Sequence, residues 1–244
     1  MTADRWTQAA ARTVRHPVGL GRLLPLGGPG DGAWIAEGAA AAVLERAAAE
    51  VPGVRLGALR IALADPEDAA EPVVPAPPSG LPPGALRVTA DVAATAGEPL
   101  PTAAERLRRA LATAATERLG LAVAEVDLRV TELLDEDAPP PAVHLPQPAP
   151  AREPTDPDEA RAAAAALSVP GVVRLTGSLG GLGRAVRIEE RAEQGALPHR
   201  HVRMELATGA DHRAVEVARR VRAAVHGALE GRPTVAVLVT AVDW

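Results

Sequence analysis

The chain has 244 residues, of which 47% are hydrophobic, so it can form one large or two small domains with a packed core. It contains no Cys, Phe or Tyr and three Trp, which excludes disulfides, thiolate metal sites and a Cys nucleophile and leaves aliphatic side chains to build the core. A net charge of −5 gives no general attraction to nucleic acid or anionic lipid.

Residues 1–29 form a predicted N-terminal arm. The arm lacks the apolar segment and small-residue cleavage site of a signal peptide, and no run in the chain reaches the roughly 20 apolar residues of a membrane span. We therefore expect a cytoplasmic protein. Trp6, Leu23 and Leu24 are candidate partner-binding residues, because an apolar arm can dock onto a partner or a membrane surface. The alternative is that the arm packs onto its own domain.

The first folded half, 30–134, has a predicted order of helix, strands, helix and strand. Its first helix leads into a Val-Pro-Gly-Val step at 51–54, and Gly120 has the position of a helix-ending glycine with positive φ. Thr102 and Glu105 have the spacing of a capping box. The predicted elements are a helix at 34–50, strands at 55–63 and 85–94, a helix at 102–119 and a strand at 121–133.

Two proline-rich stretches, 65–84 and 135–156, interrupt the predicted elements. Proline fixes φ and removes a backbone donor, so neither a helix interior nor a central strand can pass through them. We expect both stretches to be exposed and extended. The first is then an insertion in the first domain, and the second is a linker between domains.

The second folded half, 157–244, repeats this order. Asp156 and Asp211 are the predicted N-caps of its two helices, and Gly231 ends the longer one. The stretch 235–239 is apolar on both faces, which predicts a central strand or one at a contact between domains or subunits. The predicted elements are a helix at 157–167, a Val-Pro-Gly-Val step at 169–172, strands at 173–176 and 201–207, a helix at 211–230 and a strand at 234–243.

The two halves together predict an α+β protein made by internal duplication. Both the Val-Pro-Gly-Val step and the helix-ending glycine recur at nearly the same spacing, with the same elements around them. We expect two tandem sandwich-like domains, each a small sheet with helices on one face, joined by the proline-rich linker.

This pattern resembles the alkaline shock protein family of Gram-positive bacteria. The resemblance is carried by Gly30–Glu37, Val51–Val54, Val169–Val173, Gly177–Gly183 and Val186–Ile188, together with the final helix and strand. It implies small α+β domains without known catalysis, in self-associating proteins of the cell-envelope stress response, some held by a membrane-anchored partner. It therefore implies no catalytic residue. The lack of Lys and the abundance of Ala, Pro and Gly are typical of GC-rich coding, as in actinobacteria.

His199 and His201 are the candidate metal ligands. Two histidines at i and i+2 lie on the same side of a strand and can bind one metal ion. A third ligand would have to come from Glu189 or Glu190, and nothing in the spacing fixes it. A histidine pair on a solvated or edge strand is the favoured alternative.

Arg213, Arg219 and Arg220, on the second long helix, are candidates for contacts with RNA phosphates or with a protein partner. The acidic net charge, the lack of stacking aromatics and the nearby glutamates favour a solvated helix face instead. The glycine-rich segment 177–183 permits phosphate binding, but a predicted strand follows it where a helix is needed, which favours a hairpin turn.

We predict a non-enzymatic binding or scaffold protein of the cell-envelope stress type that uses no cofactor. It is expected to self-associate or to dock to a membrane-anchored partner, in the cytoplasm or at the inner face of the cell membrane. A nucleic-acid-binding module that uses the arginine-rich helices is the alternative. A metal- or small-molecule-binding protein is a weaker one.

Overall fold

The computed structural model describes residues 21–134, 143, 145–178, 183–191 and 199–244. In these ranges nine strands and four helices form two mixed sheets with packed helices, which confirms the predicted α+β class. The strands are β1 Leu23–Pro25, β2 Ala33–Ala36, β3 Val54–Leu63, β4 Leu86–Thr95, β5 Val123–Leu134, β6 Val172–Leu175, β7 Val186–Arg191, β8 His199–Gly209 and β9 Thr234–Asp243. The helices are α1 Glu37–Ala49, α2 Leu100–Thr113, which continues as a π-helical segment Ala114–Leu119, α3 Pro157–Leu167 and α4 Ala214–Ala228.

One of the three predicted helix caps is present. The Asp156 side chain accepts hydrogen bonds from two backbone amides in the first turn of α3, at 2.8 and 3.1 Å, which confirms it as the N-cap. The capping box at Thr102 is wrong, because α2 begins two residues earlier and has no side-chain cap. Asp211 does not cap α4 either, since that helix begins at Ala214.

β9 lies in the interior of the larger sheet, as its two apolar faces predicted. The strand order is β1-β2-β9-β8-β6, and β7 also pairs with β8. β2 and β8 run parallel to β9, whereas the other strands of this sheet pair antiparallel with their neighbours. Every residue from Val235 to Ala241 is buried. The smaller sheet has the order β3-β4-β5, with β3 antiparallel and β5 parallel to β4.

The two halves have matching helices and the same strand directions, although the second half has two strands, β6 and β7, where the first has β3. In the first half, α1 precedes the antiparallel strands β3 and β4, and α2 then crosses over to the parallel strand β5. In the second half, α3 precedes β6 and β7, which pair antiparallel with β8, and α4 crosses over to the parallel strand β9. The repetition is what the predicted internal duplication would produce, and the duplication stays a prediction. The domain bounds 30–134 and 157–244 stay a prediction.

The halves share one hydrophobic core, because strands of the first half complete the sheet of the second. β2 pairs with β9, and β1, from the predicted arm, extends the same sheet. Trp34 in β2 is 1% exposed, and its Nε1 donates to the Leu81 carbonyl oxygen at 3.0 Å. Apolar residues of both halves form a single buried cluster, so separating the halves would expose it to water.

The segment after α2 turns sharply where it packs against α4. Gly120 has a φ of 91°, and a side chain built there would place its Cβ 2.3 Å from Val215 Cγ1. The corresponding Gly231, after α4, has a φ of 76° and no atom within 4 Å of a built Cβ. Both residues therefore have the predicted left-handed conformation, but the close approach of a neighbouring helix is confined to Gly120.

Both proline-rich stretches pair with a sheet edge, so the expectation that they are free spacers is wrong, although most described residues of the second stretch are exposed as expected. Leu81 donates its amide to the Leu23 carbonyl oxygen at 2.9 Å, which places the first stretch along β1, and Val74 is buried. The described end of the second stretch runs along β6, where the Ala151 amide donates to the Leu175 carbonyl oxygen at 3.3 Å. Residues between the prolines keep their amides and carbonyls and can therefore pair with an edge.

Candidate functional site

The apolar residues predicted to bind a partner are not accessible in the described part of the arm. Leu23 and Leu24 lie in β1 and are 1% and 0% exposed, so they pack on the chain's own sheet, as the alternative interpretation proposed. A partner cannot reach them without displacing β1. Trp6, the third such candidate, lies outside the described residues.

The predicted histidine pair lies on β8 without the surroundings of a metal site. His201 is 3% exposed, and its Nδ1 lies 2.8 Å from Thr234 Oγ1. Glu189, the proposed third ligand, pairs with His201 across the strands but lies within 4 Å of three arginine side chains. Within the described ranges, no three metal-binding side chains lie close enough together to hold a metal ion, either at this pair or elsewhere.

The burial of His201 has an electrostatic consequence. Desolvation, and to a lesser extent the positive charges of Arg191 and Arg203, lower the pKa of His201 from 6.5 to about 4, while Glu189 opposes the shift. The imidazole is therefore neutral at physiological pH. The positive charges of Arg191 and Arg203 also disfavour the binding of a metal cation to this imidazole.

The glycine-rich segment begins with amides that are already bonded within the chain. The Gly177 amide donates to the Ala149 carbonyl oxygen at 3.0 Å, and the Ser178 amide donates to Glu205 Oε2 at 2.8 Å. A carboxylate thus occupies the position that a phosphate would take at Ser178. Residues 179–182 lie outside the described ranges.

Arg219 of α4 and Arg213, which directly precedes this helix, join the two halves of the chain. Arg219 Nε and Nη2 donate to the Asp31 carboxylate at 2.7 and 2.9 Å, and Arg213 Nε donates to the Thr116 carbonyl oxygen at 3.1 Å. The Asp31 contact holds the pKa of that carboxyl below its usual range. Arg220 is exposed. Two of the three arginines predicted to contact RNA or a partner are therefore engaged within the chain.

β5 is the longest edge strand in the described ranges. β5 is twelve residues long and pairs on one side with β4. At the opposite edge of this sheet, a side chain occupies part of the outer backbone of β3, because Arg22 Nη2 donates to the Ile61 carbonyl oxygen at 2.8 Å. At the β5 edge, Arg108 Nε donates to the Val126 carbonyl oxygen at 3.0 Å.

The ladder between β4 and β5 fixes which backbone groups face this outer edge. The Leu86 amide donates to the Ala122 carbonyl oxygen, so the even-numbered residues of β4 face β5. Val88 pairs with Val126, and in a parallel ladder its amide and carbonyl bond to the two residues that flank this partner, Glu125 and Asp127. The amide and carbonyl of Val126 therefore face outward, as the Arg108 contact requires, and so do those of every second residue up to Val130.

The side chains of β5 form two rows. Asp127 and Arg129 lie on the open face of the sheet, where they line a hollow of about 560 Å³ that crosses all three strands. Val126, Leu128 and Val130 form the other row, in which exposure increases from the buried Val126 to Val130 at 37%. The central part of the edge, residues 126–130, thus combines outward-facing backbone groups, an apolar row and one charge of each sign. The alternation of β5 in the sequence predicted its wet face but did not show that it is an edge strand.

Comparisons with protein-family models and with curated proteins found no match to this chain. The resemblance to the alkaline shock protein family therefore stays a prediction. Among the helices of the described ranges, none is long and apolar enough to cross a membrane.

Proposed function

We propose that this chain is a non-enzymatic scaffold protein that associates with a second copy of itself through the β5 edge. The observation that supports the proposal is that this edge is self-complementary. An exposed strand edge is a ready template for pairing with another chain, and proteins that avoid such pairing shorten or cover the edge. In this chain the edges of β1 and β6 are covered, whereas β5 is long and accessible.

One antiparallel register satisfies the charges of both copies. When Leu128 faces Leu128 of the second copy, Asp127 lies opposite Arg129 on both sides of the twofold axis, and Val126 lies opposite Val130. A register in which Asp127 or Arg129 faces its own equivalent places like charges together, which is unfavourable.

The backbone parity of β5 agrees with this register. The outward-facing groups belong to Val126, Leu128 and Val130, so these residues form the hydrogen-bonded pairs across the twofold axis. Asp127 and Arg129 then form the non-hydrogen-bonded pairs, in which opposing side chains approach most closely. Pairing also requires Arg108 to release the Val126 carbonyl oxygen, because the amide of Val130 in the second copy takes that position.

A charge exchange tests the register. Asp127→Arg and Arg129→Asp, each made alone, place like charges opposite each other and should reduce the dimer fraction in sedimentation velocity. The double variant Asp127→Arg/Arg129→Asp restores opposite charges and should restore the dimer. The internal ion pairs lost in these variants are exposed and are worth roughly 0–1 kcal/mol, so folding should persist. A wild-type chain that remains monomeric, or a double variant no better than the single ones, contradicts the proposal.

Two further variants act on the backbone of the edge. The Val130 amide faces outward, so Val130→Pro should leave the sheet intact and abolish pairing. Arg108→Ala removes the side chain that occupies the Val126 carbonyl oxygen and should strengthen association. Circular dichroism checks that both variants fold. If the two variants shift the monomer–dimer equilibrium in the same direction, the edge is not the interface.

The role in the cell-envelope stress response and the membrane-anchored partner form the finer part of the proposal, which the resemblance supports. A cytoplasmic scaffold of this type would be recovered with the membrane fraction of its host through that partner. Detergent should then release the two proteins as one complex. Recovery in the cytosolic fraction alone, under envelope stress, would count against this part of the proposal and leave self-association unaffected.

A further inference from the structure

A cationic cavity lies between α4, the start of β9 and the first proline-rich stretch, on a different surface from the β5 edge. Its volume is about 390 Å³, and no carboxylate lines it. Arg219, Arg222 and Arg232 line it together with His226. Val73 and other apolar side chains form the remaining wall. The cavity thus combines several cationic or hydrogen-bonding groups with an apolar surface.

Arg222 supplies a fixed positive charge to this cavity. Its Nε donates to the Val235 carbonyl oxygen at 3.0 Å, and its Nη1 donates to the carbonyl oxygens of Gly30 and Asp31 at 2.7 and 2.6 Å. Three neutral acceptors therefore hold the guanidinium in place through its Nε and Nη1. Burial lowers the pKa of Arg222, and the nearby charge of Asp31 opposes this shift.

The other cationic groups differ in how far they are already neutralised. Arg219 is paired with Asp31 and Glu216, so it adds little net charge. Arg232 is exposed and has a φ of 47°, which is uncommon for a residue other than glycine. His226 Nδ1 lies 3.0 Å from the Pro233 carbonyl oxygen and donates to it, which leaves Nε2 free for a ligand. Asp31 thus partly offsets the charge of Arg222 as well, and Arg232 adds an exposed positive charge at the mouth of the cavity.

The geometry points to a binding site for a phosphate group, held by Arg222 and Arg232, with the rest of the ligand against the apolar wall. A guanidinium group binds phosphate through paired N–H donors, which the exposed Arg232 can supply. Arg222 adds its Nη2 donors, because its Nε and Nη1 are bonded within the chain. The phosphate can belong to a small metabolite or to a lipid headgroup. This inference goes beyond the proposed scaffold role and does not depend on it.

Calorimetric titration of the full chain with inorganic pyrophosphate, against sodium chloride of equal ionic strength, tests the site. We expect saturable binding of one pyrophosphate per chain. Arg232→Gln should weaken it at least tenfold, because Arg232 is exposed and can be removed without disturbing the fold. Arg220→Gln is the matched control: it removes an exposed arginine of α4 that does not line the cavity, and it should leave the affinity unchanged.

A second variant places a negative charge in the cavity wall. Val73 is 62% exposed, so Val73→Glu should fold and should abolish pyrophosphate binding by repulsion. Co-sedimentation with phosphatidylcholine vesicles that contain phosphatidic acid separates the two ligand sources. Vesicle binding that Arg232→Gln abolishes assigns a lipid phosphate, and pyrophosphate binding without vesicle binding assigns a small molecule. No saturable binding, or equal weakening by Arg232→Gln and Arg220→Gln, overturns the inference.

Discussion

The burial of His201 predicts that the fold loses stability in mild acid. The pKa of His201 is about 4 in the folded chain, against 6.5 for an unperturbed imidazole. Because the folded pKa is the lower one, the unfolded chain binds the proton more readily. Stability is therefore complete above pH 6.5 and is lost as the pH falls from 6.5 towards 4.

The size of the loss follows from the two pKa values. At about 1.4 kcal/mol per pKa unit, the loss is about 2 kcal/mol at pH 5 and reaches about 3 kcal/mol below pH 4. The carboxylates with lowered pKa, Asp31 and Asp158, have an unperturbed pKa of 3.8, so their contribution is lost at lower pH. The interval between about pH 7 and pH 5 thus isolates the histidine.

Urea unfolding of wild type and His201→Gln across this interval measures the effect. Glutamine can still bond to Thr234 Oγ1 but does not titrate, so the variant should lose about 2 kcal/mol less between pH 7 and pH 5. A His199→Gln control keeps the buried imidazole and should keep the wild-type pH dependence. Parallel loss of stability in wild type and His201→Gln would refute the assignment of a buried neutral imidazole.

Two predictions concern the junction between the halves and its packing. Gly120→Ala places a methyl group against Val215 and should lower the free energy of unfolding in urea by about 2–4 kcal/mol. Gly231→Ala strains only the positive φ and should lower it by about 1 kcal/mol. Equal losses in the two variants would contradict the close approach of α4. Trp34→Phe keeps most of the buried ring but leaves the Leu81 carbonyl oxygen without its donor, so it should destabilise by about 1–2 kcal/mol, and a neutral result would show that this contact contributes nothing.

Local pattern predicted most of the elements, because each half carries its own periodicity and turn signals. The two-faced apolar stretch 235–239 correctly predicted an interior strand, since burial on both faces is visible in the sequence. β2 was missed because Ala33–Ala36 is short and continues directly into α1, so an Ala-rich run gave no local sign of the change. Its pairing with β9 joins residues about two hundred positions apart, which no local pattern encodes.

The site residues were harder to predict for the same reason. The arginines of α4 form a cationic cluster in the sequence, but the partner of Arg219 is Asp31, in the other half of the chain. The proline content of 65–84 masked the apolar residues that hold this stretch on β1. The free edge of β5 depends on what the rest of the chain leaves uncovered, which only the assembled fold shows.

A single-cysteine crosslink at the twofold axis measures the proposed self-association most directly. The natural chain contains no Cys, so Leu128→Cys introduces one thiol per copy. In the proposed register, the Leu128 Cα atoms of two copies lie about 5.5 Å apart, within the roughly 4.4–6.8 Å that a disulfide spans. Glu125→Cys is the matched control, because Glu125 faces Thr131 and lies far from its own equivalent. Oxidation should give a covalent dimer from Leu128→Cys and not from Glu125→Cys. No dimer from Leu128→Cys, or equal dimer from both, would contradict pairing through β5.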